Sequence, residues 1–506
     1  MLARPMDISL DNALLLQCGQ LLLEKKQLYV DIVEINPPMI MYLSMIPAGL
    51  SKLIASYQAP CFNFCVCTLS ILSAVLGIRI LDGVEKPDDK AYVPSVIVAL
   101  GVGALLMSPI IYFGEREHIA VLLILPFFLL RWVRNTGGST CKFLACFVGI
   151  LAGIGCCIKP YFLLLPGFAE IFWLCKSRDF KSLLNVEIGS AALACLLYAA
   201  HFLLLPAESR HNYFQVLIPL TVQGYQAYNH DLLKIIVLDN VPLVRPVLVI
   251  GALLLAILLR RRCSLLLPWS AWTVAGYLIF VLQQKGFHYH TIPMRYGMAM
   301  LCVLEVMTLL LMVRDKVFAN RQQKPATDVV TVVFVLLALL SLGGCGAMVV
   351  RFVQAGKHNF YLAENLTPPC AAQVVRSSNE GDSVFFFDTG GGYQYPMLVQ
   401  LNRRPGSRFM DMSPFAMVRY VQTHAKSEEQ RKEAASYEDQ ILTQLGDDFE
   451  SRKTKLVLIP EHEWALPADF SVFQYLDEHR FFQREMKNYK QIASTCKYRV
   501  YQRVTD

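Results

Sequence analysis

The sequence predicts an α-helical, polytopic membrane bundle followed by a small soluble α/β domain, and three observations support this. The chain of 506 residues is 55% hydrophobic and only 17% charged. Residues 37–352 are almost continuously apolar and are broken by short charged segments, whereas residues 355–506 have the composition of a water-soluble domain. Apolar runs of this length are typical of helices that cross a bilayer, where each backbone polar group must be hydrogen-bonded within its own segment.

Ten segments have the length and apolar character of membrane-spanning helices. They are 61–81, 92–112, 117–133, 142–158, 160–175, 184–205, 242–260, 265–283, 295–313 and 327–350. An eleventh, 37–56, is ambiguous because Pro47 interrupts it and Lys52 lies near its end. The predicted organisation is an outer-face region with an amphipathic and a juxtamembrane helix over 1–60, a membrane domain over 61–352, and a soluble domain over 355–506.

The charged segments between these spans differ in their number of Lys and Arg residues, and this predicts the orientation. One alternate set carries sixteen Lys and Arg residues and the other set carries seven. The loops with more Lys and Arg are retained in the cytoplasm, so the second set and the soluble domain are expected on the opposite side. The net charge of +7 therefore indicates orientation and not a nucleic-acid partner.

Residues 11–24 (DNALLLQCGQLLLE) contain too many polar residues to cross a membrane. Their pattern predicts an amphipathic helix in the interface, with Asp11 as its N-cap.

Four polar groups of residues lie in the predicted outer loops. They are Asp7, Asp11, Tyr29, Asp31 and Glu34; Glu115, Arg116, Glu117 and His118; Lys159 and Tyr161; and Lys285, His288, His290 and Arg295. Carboxylates at a membrane boundary are unfavourable unless they are paired or hydrated, so clustered ones indicate function. Together the four groups could form one site, in which carboxylates act as a base and cations bind a phosphate.

Structural explanations remain open for each group. Asp11 could serve only as an N-cap, Glu115 to Glu117 could form a solvated ion-paired turn, and Lys159 could extend its amine towards water from a helix end. His288 and His290 could bind a metal, although loop histidines are more often only hydrogen-bonded. Glu305, in the middle of a span, is either structural or part of a pathway.

At these residues the chain resembles the GT-C type integral-membrane glycosyltransferases, which include bacterial aminoarabinose transferases and protein O-mannosyltransferases. Three features match in order over residues 7–205. Asp11 precedes a helix and the stretch Tyr29-x-Asp31 to Pro37-Pro38, a charged turn follows an apolar span at 115–118, and Lys159-Pro160 follows two further spans. The family also has a transmembrane helix before its first acidic loop, so either the start of the chain is truncated or 37–56 spans the membrane.

The resemblance implies inverting, metal-independent transfer of a hexosyl or pentosyl group from a polyprenyl-phosphate-linked sugar to a lipid or glycan acceptor, without a cofactor. It assigns the base to Asp11, with Asp7 as the alternative, and places Glu115 or Glu117 beside the donor. The donor phosphate would meet Arg116, His118, Lys159, Tyr161 and Arg295, and the substrate loops would carry Tyr29, Asp31, Glu34, His288 and His290. It implies a bacterial inner-membrane protein with its site on the periplasmic side. A transporter or flippase of lipid-linked glycans, or a non-catalytic envelope-assembly protein, is the alternative.

In the soluble domain, residues 383–388 and 455–459 are predicted strands, and residues 425–446 and 471–482 are predicted helices. Gly390, Gly391 and Gly392 are interpreted as a turn, because the spacing of a phosphate-binding loop is missing. Cys370 and Cys496 could form a disulfide if this domain faces an oxidising compartment.

Overall fold

The structure, a computed structural model, describes residues 8–97, 112–237, 246–319, 368–390 and 392–504. The chain divides into two compact units. We call residues 1–65, 201–229 and 355–506 the loop–sheet unit, and residues 66–200 and 230–354 the helical unit.

The helices before the soluble domain are α1 (Leu10–Leu23), α2 (Met39–Leu53), α3 (Gln58–Leu81), α4 (Pro87–Lys90), α5 (Arg116–Asn135), α6 (Lys142–Ile158), α7 (Leu164–Ser177), α8 (Val186–His201), α9 (Ala207–His211), α10 (Ile218–Gly224), α11 (Leu232–Val237), α12 (Pro246–Leu259), α13 (Leu266–Gln283) and α14 (Ile292–Ala319). Short 3-10 segments lie at Pro160–Leu163, Phe180–Leu184, Phe202–Leu204, Tyr225–Tyr228 and His288–Thr291, and a π-helical segment lies at Asn212–Leu217.

These helices agree closely with the predicted spans, and α6 has the predicted bounds, 142–158. Among the described residues, four segments are long and apolar enough to cross a membrane, and they are Gln58–Leu81, Val186–Leu204, Leu266–Gln283 and His288–Asp315. The predicted span 327–350 and most of 92–112 lie outside the described residues. The number of ten or eleven spanning helices therefore stays a prediction.

α2 covers most of the ambiguous segment 37–56. Its 15 residues, at ~1.5 Å each, give about 22 Å, which is short of the ~30 Å hydrocarbon core of a bilayer. α7 and α12, with 14 residues each, cover predicted spans, so the length of α2 does not distinguish it from them.

Arg131 lies in a buried ion-pair network near the end of α5. Its guanidinium contacts Glu170 at 2.6 Å and Glu187 at 2.9 Å, and the Arg131 side chain is 0% exposed. Arg131 is one of the sixteen basic residues counted for the cytoplasmic loops, but its partners Glu170 and Glu187 lie within apolar stretches and hold it inside the protein. Without Arg131, the two sets of loops carry fifteen and seven Lys and Arg residues, so the predicted orientation is unchanged.

In the loop–sheet unit, α1 packs closely against α2. A Cβ atom on Gly19 would lie 2.6 Å from the backbone carbon of Ser44, so only glycine permits this approach. The helix itself confirms the prediction for residues 11–24, but its predicted cap is wrong. The N-cap is Ser9, whose hydroxyl accepts the Asn12 N–H, and Asp11 lies in the first turn. Most of α1 is buried around its whole circumference, unlike a helix lying in a membrane interface.

The soluble domain is built on a five-stranded sheet in the order β2-β1-β3-β5-β4. Its strands are β1 (Ser383–Phe386), β2 (Arg404–Pro405), β3 (Leu456–Pro460), β4 (Tyr489–Thr495) and β5 (Tyr498–Arg503), and its helices are α15 (Pro368–Ser377), α16 (Gln394–Gln400), α17 (Ser413–His424), α18 (Glu428–Ser451), α19 (Val472–Glu478) and α20 (Phe481–Arg484). β1 is parallel to β2 and β3, and β5 is antiparallel to β3 and β4. Every residue of β3 is buried, as is typical of a strand covered on both faces.

Both predicted strands and the predicted helix at 425–446 are confirmed, whereas residues 471–482 form two helices, α19 and α20. Gly390 lies in a turn, and a Cβ atom on Gly392 would lie 2.6 Å from the carboxyl carbon of Asp388. A loop that approaches a carboxylate so closely is poorly suited to phosphate. Cys496 takes part in a disulfide, and α15, which carries Cys370, contacts β4.

Candidate functional site

Two groups of polar side chains, one in each unit, contain seven of the fifteen loop residues that the sequence singled out. We call the first the cationic cluster; it consists of Arg116, Glu117, Lys159, Lys285 and His290 in the helical unit. We call the second the carboxylate cluster; it consists of Asp11, Glu34 and Asp411 in the loop–sheet unit.

The cationic cluster is assembled from three places where helices begin or end. Arg116 and Glu117 lie in the first turn of α5, Lys159 directly follows α6, and His290 lies in the 3-10 segment before α14. The Lys159 ammonium contacts the Glu117 carboxylate at 3.1 Å, and His290 Nε2 lies 3.7 Å from the same oxygen. The structure therefore brings together three of the segments that the sequence singled out, although they are far apart along the chain.

Lys159 also donates a hydrogen bond of 3.3 Å to the side-chain oxygen of Gln283 at the end of α13. Sequence reasoning missed Gln283, because one amide at the end of an apolar span carries no distinctive pattern. The amide of Gln283 is held in turn by the backbone oxygen of Ile279 at 3.2 Å.

The charges of the cationic cluster lie away from water. Arg116 and Lys285 are each 5% exposed, Lys159 is 8% exposed and Glu117 is 0% exposed. Arg116, Lys159 and Lys285 all act electrostatically on His290, which also lies 3.7 Å from the Glu117 carboxylate. Burial lowers the pKa of Lys285 to about 8. Concentrating cations in a desolvated place is unfavourable unless anions offset them, as Glu117 does for Lys159.

These observations exclude two of the structural explanations. Glu115 to Glu117 do not form a solvated turn, because Glu115 is 2% exposed and Glu117 fully buried. Lys159 does not extend towards water, because its ammonium contacts Glu117 and Gln283.

Aromatic rings border the cationic cluster. Arg116 donates a hydrogen bond of 3.5 Å to the Tyr289 hydroxyl and also lies 5.9 Å from the centre of that ring. Tyr289 packs edge-on against His290, with ring centres 4.5 Å apart. Such contacts orient a guanidinium without neutralising its charge.

Other predicted residues have different surroundings. Nδ1 of His118 accepts the Gly114 N–H at 3.1 Å, which is a local structural contact. His288 and Tyr161 are exposed, whereas Arg295 is buried in the first turns of α14. Because His288 is exposed and His290 is buried, the two histidines differ in environment. Among the described residues, no group of three or more His, Cys, Asp and Glu is arranged to hold a metal.

The carboxylate cluster depends on pairing between the N-terminal loop and the soluble domain. Val33 donates its N–H to the backbone oxygen of Arg408 at 2.7 Å, and Met410 donates to the backbone oxygen of Val33 at 3.1 Å. This pairing brings Glu34, which follows Val33, close enough to Asp411 for their charges to interact.

The acidity of Asp411 is strongly perturbed. Burial, together with the charges of Glu34 and Asp11 and against the hydrogen bonds from Ser413, raises the pKa of the Asp411 carboxyl to about 7. Sequence reasoning missed Asp411, since only its pairing with a distant loop distinguishes it from other aspartates.

Tyr29, Asp31 and Glu34 make local structural contacts. Tyr29 is 1% exposed and stacks on Tyr213, with ring centres 4.3 Å apart. The Asp31 carboxylate accepts the Gln27 N–H at 2.9 Å. The Glu34 carboxylate accepts a hydrogen bond of 2.7 Å from the Asn36 side chain. Asp7 lies outside the described residues.

No protein-family model matches the sequence, and no curated protein matches it either. Solved structures do match. One is the crystal structure of ArnT from Cupriavidus metallidurans bound to undecaprenyl phosphate, with a TM-score of 0.55 and 10% identity over 99% of this chain and 95% of that one. ArnT in the apo state matches with a TM-score of 0.51 and 12% identity over 99% of this chain and 94% of that one. The resemblance seen in the sequence is thus confirmed at the level of fold, and the chain is similar in fold to ArnT over nearly the full length of both proteins.

Proposed function

We propose that this protein is an integral-membrane glycosyltransferase that takes a sugar from a polyprenyl-phosphate donor and transfers it to a lipid or glycan acceptor. The observation that carries the proposal is the buried cationic cluster, because three cations that all act on one ring, His290, suit a phosphate in a place with little water. The fold supports it, because a solved structure with this fold holds undecaprenyl phosphate.

In this proposal Arg116 and Lys159 bind the donor phosphate, and the Tyr289 ring orients Arg116. As the bond between the anomeric carbon and the phosphate oxygen breaks, negative charge grows on that oxygen. Cations fixed before the reaction stabilise the developing charge without any rearrangement. Glu117 holds Lys159 in position, and no cofactor or metal is needed for such a step.

The carboxylate cluster would supply the base. Asp11 would take the proton from the acceptor hydroxyl as its oxygen attacks the anomeric carbon, which inverts the configuration there. Asp411, whose carboxyl has a pKa of about 7, is suited to hold a proton near neutral pH. A transporter remains the alternative, but among the described residues no specific observation favours it.

The phosphate role can be tested with Arg116→Gln and Lys159→Gln. Glutamine retains hydrogen-bonding capacity next to Tyr289 and Glu117 but carries no charge. Loss of a charge-assisted contact should weaken undecaprenyl phosphate binding about tenfold to a hundredfold in either variant. Native mass spectrometry of the purified protein with this lipid measures the effect.

Lys142→Gln is the matched control, because Lys142 is exposed at the start of α6 whereas Lys159 follows its end. Its affinity should equal that of the wild type. Wild-type affinity in both cluster variants would show that these cations have a structural role only.

We further propose that the soluble domain and the transfer reaction lie on the periplasmic side of a bacterial inner membrane. The Lys and Arg distribution supports this orientation. The disulfide at Cys496 also supports it, because such bonds persist in oxidising compartments.

Cysteine labelling tests the orientation in a background without native cysteines. Ser139, Ser177 and Ser436 are all exposed, so a cysteine at each can react. In intact cells an impermeant thiol reagent should label Ser436→Cys in the soluble domain, and it should leave Ser139→Cys and Ser177→Cys unlabelled until the membrane is opened. The reverse labelling pattern would invert the orientation.

A further inference from the structure

A cavity of about 230 Å³ lies on the soluble domain, between α17 and the segment that follows β3. Its characteristic lining residues are Arg419, Tyr420, Thr423, His424, Trp464 and Phe470. The four α17 residues form two pairs four positions apart, Arg419 with Thr423 and Tyr420 with His424, so each pair lies along one side of the helix.

Trp464 is the unusual member of this lining. Its side chain is 54% exposed, although the other four tryptophans of the chain are each at most 1% exposed. The indole is held in place by an edge-on contact with Tyr228, with ring centres 5.1 Å apart. An aromatic ring that is fixed and yet open to solvent is typical of a binding surface.

The charge of the lining indicates an uncharged ligand. Among the described residues that line this cavity, Arg419 is the only Arg, Lys, Asp or Glu. Its guanidinium forms a salt bridge of 3.2 Å with Glu438 and lies 4.9 Å from the centre of the Phe470 ring. Because Arg419 is already paired, a phosphate or carboxylate would gain little there.

The polar groups complete the pattern. Tyr420 and His424 stack with ring centres 4.1 Å apart. The exposed Thr423 hydroxyl donates to the Tyr420 backbone oxygen at 2.9 Å and can still accept a hydrogen bond from a ligand. A pyranose ring has a face of C–H bonds that packs on an aromatic ring, and hydroxyl groups around its rim. The volume is below the ~300–1,000 Å³ of sites for drug-sized ligands, which suits about one or two sugar rings.

We propose that this cavity binds an uncharged saccharide, with Trp464 as the surface on which the sugar ring stacks. This binding needs none of the groups assigned to sugar transfer, so it can be tested independently of that activity.

The exposure pattern provides a selective probe, since aqueous iodide should quench only the fluorescence of Trp464. The full-length protein is purified in an amine-oxide detergent, because alkyl glycosides would compete. Maltotriose, mannotriose and chitotriose are then added separately. At least one should reduce quenching to the level of the Trp464→Phe variant, which lacks the exposed indole.

Saturation-transfer NMR of the protecting saccharide extends the test to variants. Trp464→Ala should weaken binding about tenfold, whereas Trp464→Phe retains a ring and should lose much less. Tyr57→Ala, at an exposed tyrosine elsewhere in the loop–sheet unit, should bind as the wild type does. The proposal is overturned if none of the three saccharides protects Trp464, or if Trp464→Ala retains full affinity.

Discussion

Asp11→Asn should lower sugar transfer about 10²–10⁴-fold, because an amide cannot accept the proton that a general base must take. The fold should survive, since the cap of α1 is Ser9 and not Asp11. The substitution weakens the interaction between a carboxylate and the helix dipole, which is worth about 0.3–1 kcal/mol, and removes a charge that acts on Asp411. Transfer from a radiolabelled polyprenyl-phosphate sugar, normalised to protein abundance, measures the effect.

Ser9→Ala is the matched control, because it removes the cap and leaves the carboxylate. It should lower the free energy of unfolding by about 1 kcal/mol and leave the turnover of the folded protein unchanged. Asp7→Asn and Glu34→Gln are made in parallel. Full activity of Asp11→Asn with an inactive Asp7 or Glu34 variant would move the base to that residue, and full activity in all three would rule out a base in this region.

The membrane helices were accessible to prediction because their signal is local. A run of apolar residues and the charges at its ends lie together in the sequence, so the predicted bounds of α6 match those in the structure. The soluble strands β1 and β3 were found for the same reason. A local pattern cannot predict that two distant segments meet, as they do at Glu117 and Lys159. There the resemblance to a known family supplied the prediction.

The errors arise where distant residues interact. Asp411 becomes a site candidate only through the pairing of Val33 with Arg408 and Met410. Arg131 was counted among the loop charges that set the orientation, although it forms a buried ion pair with Glu170 and Glu187. The cap of α1 was assigned to Asp11 instead of Ser9 because both residue types cap helices, and only the backbone position of Ser9 distinguishes them.

Asp411→Asn should stabilise the folded protein near pH 8. The folded-state pKa of about 7 lies above the ordinary value of 3.8. Between these two values the folded state binds more protons than the unfolded state, so stability falls as the pH rises through this window. Asparagine cannot ionise, and it should remove a penalty of about 2–4 kcal/mol at pH 8.

The melting temperature in detergent at pH 5 and pH 8 tests this expectation. At pH 8 the wild type should have a lower melting temperature than Asp411→Asn. At pH 5 this difference in melting temperature should be smaller. Asp448→Asn is the matched control in the same domain, because Asp448 is buried in a salt bridge of 2.9 Å with Arg408. Breaking such a pair should destabilise the protein by about 3–5 kcal/mol.

The sign of the stability change in the two aspartate variants therefore distinguishes a functional carboxylate from a structural one. A carboxylate kept where its charge is unfavourable is expected to have a use for that charge, so Asp411→Asn should also lower transfer while raising the melting temperature. If Asp411→Asn destabilises the protein as Asp448→Asn does, Asp411 is a structural residue, and the carboxylate cluster loses its proposed proton-holding group.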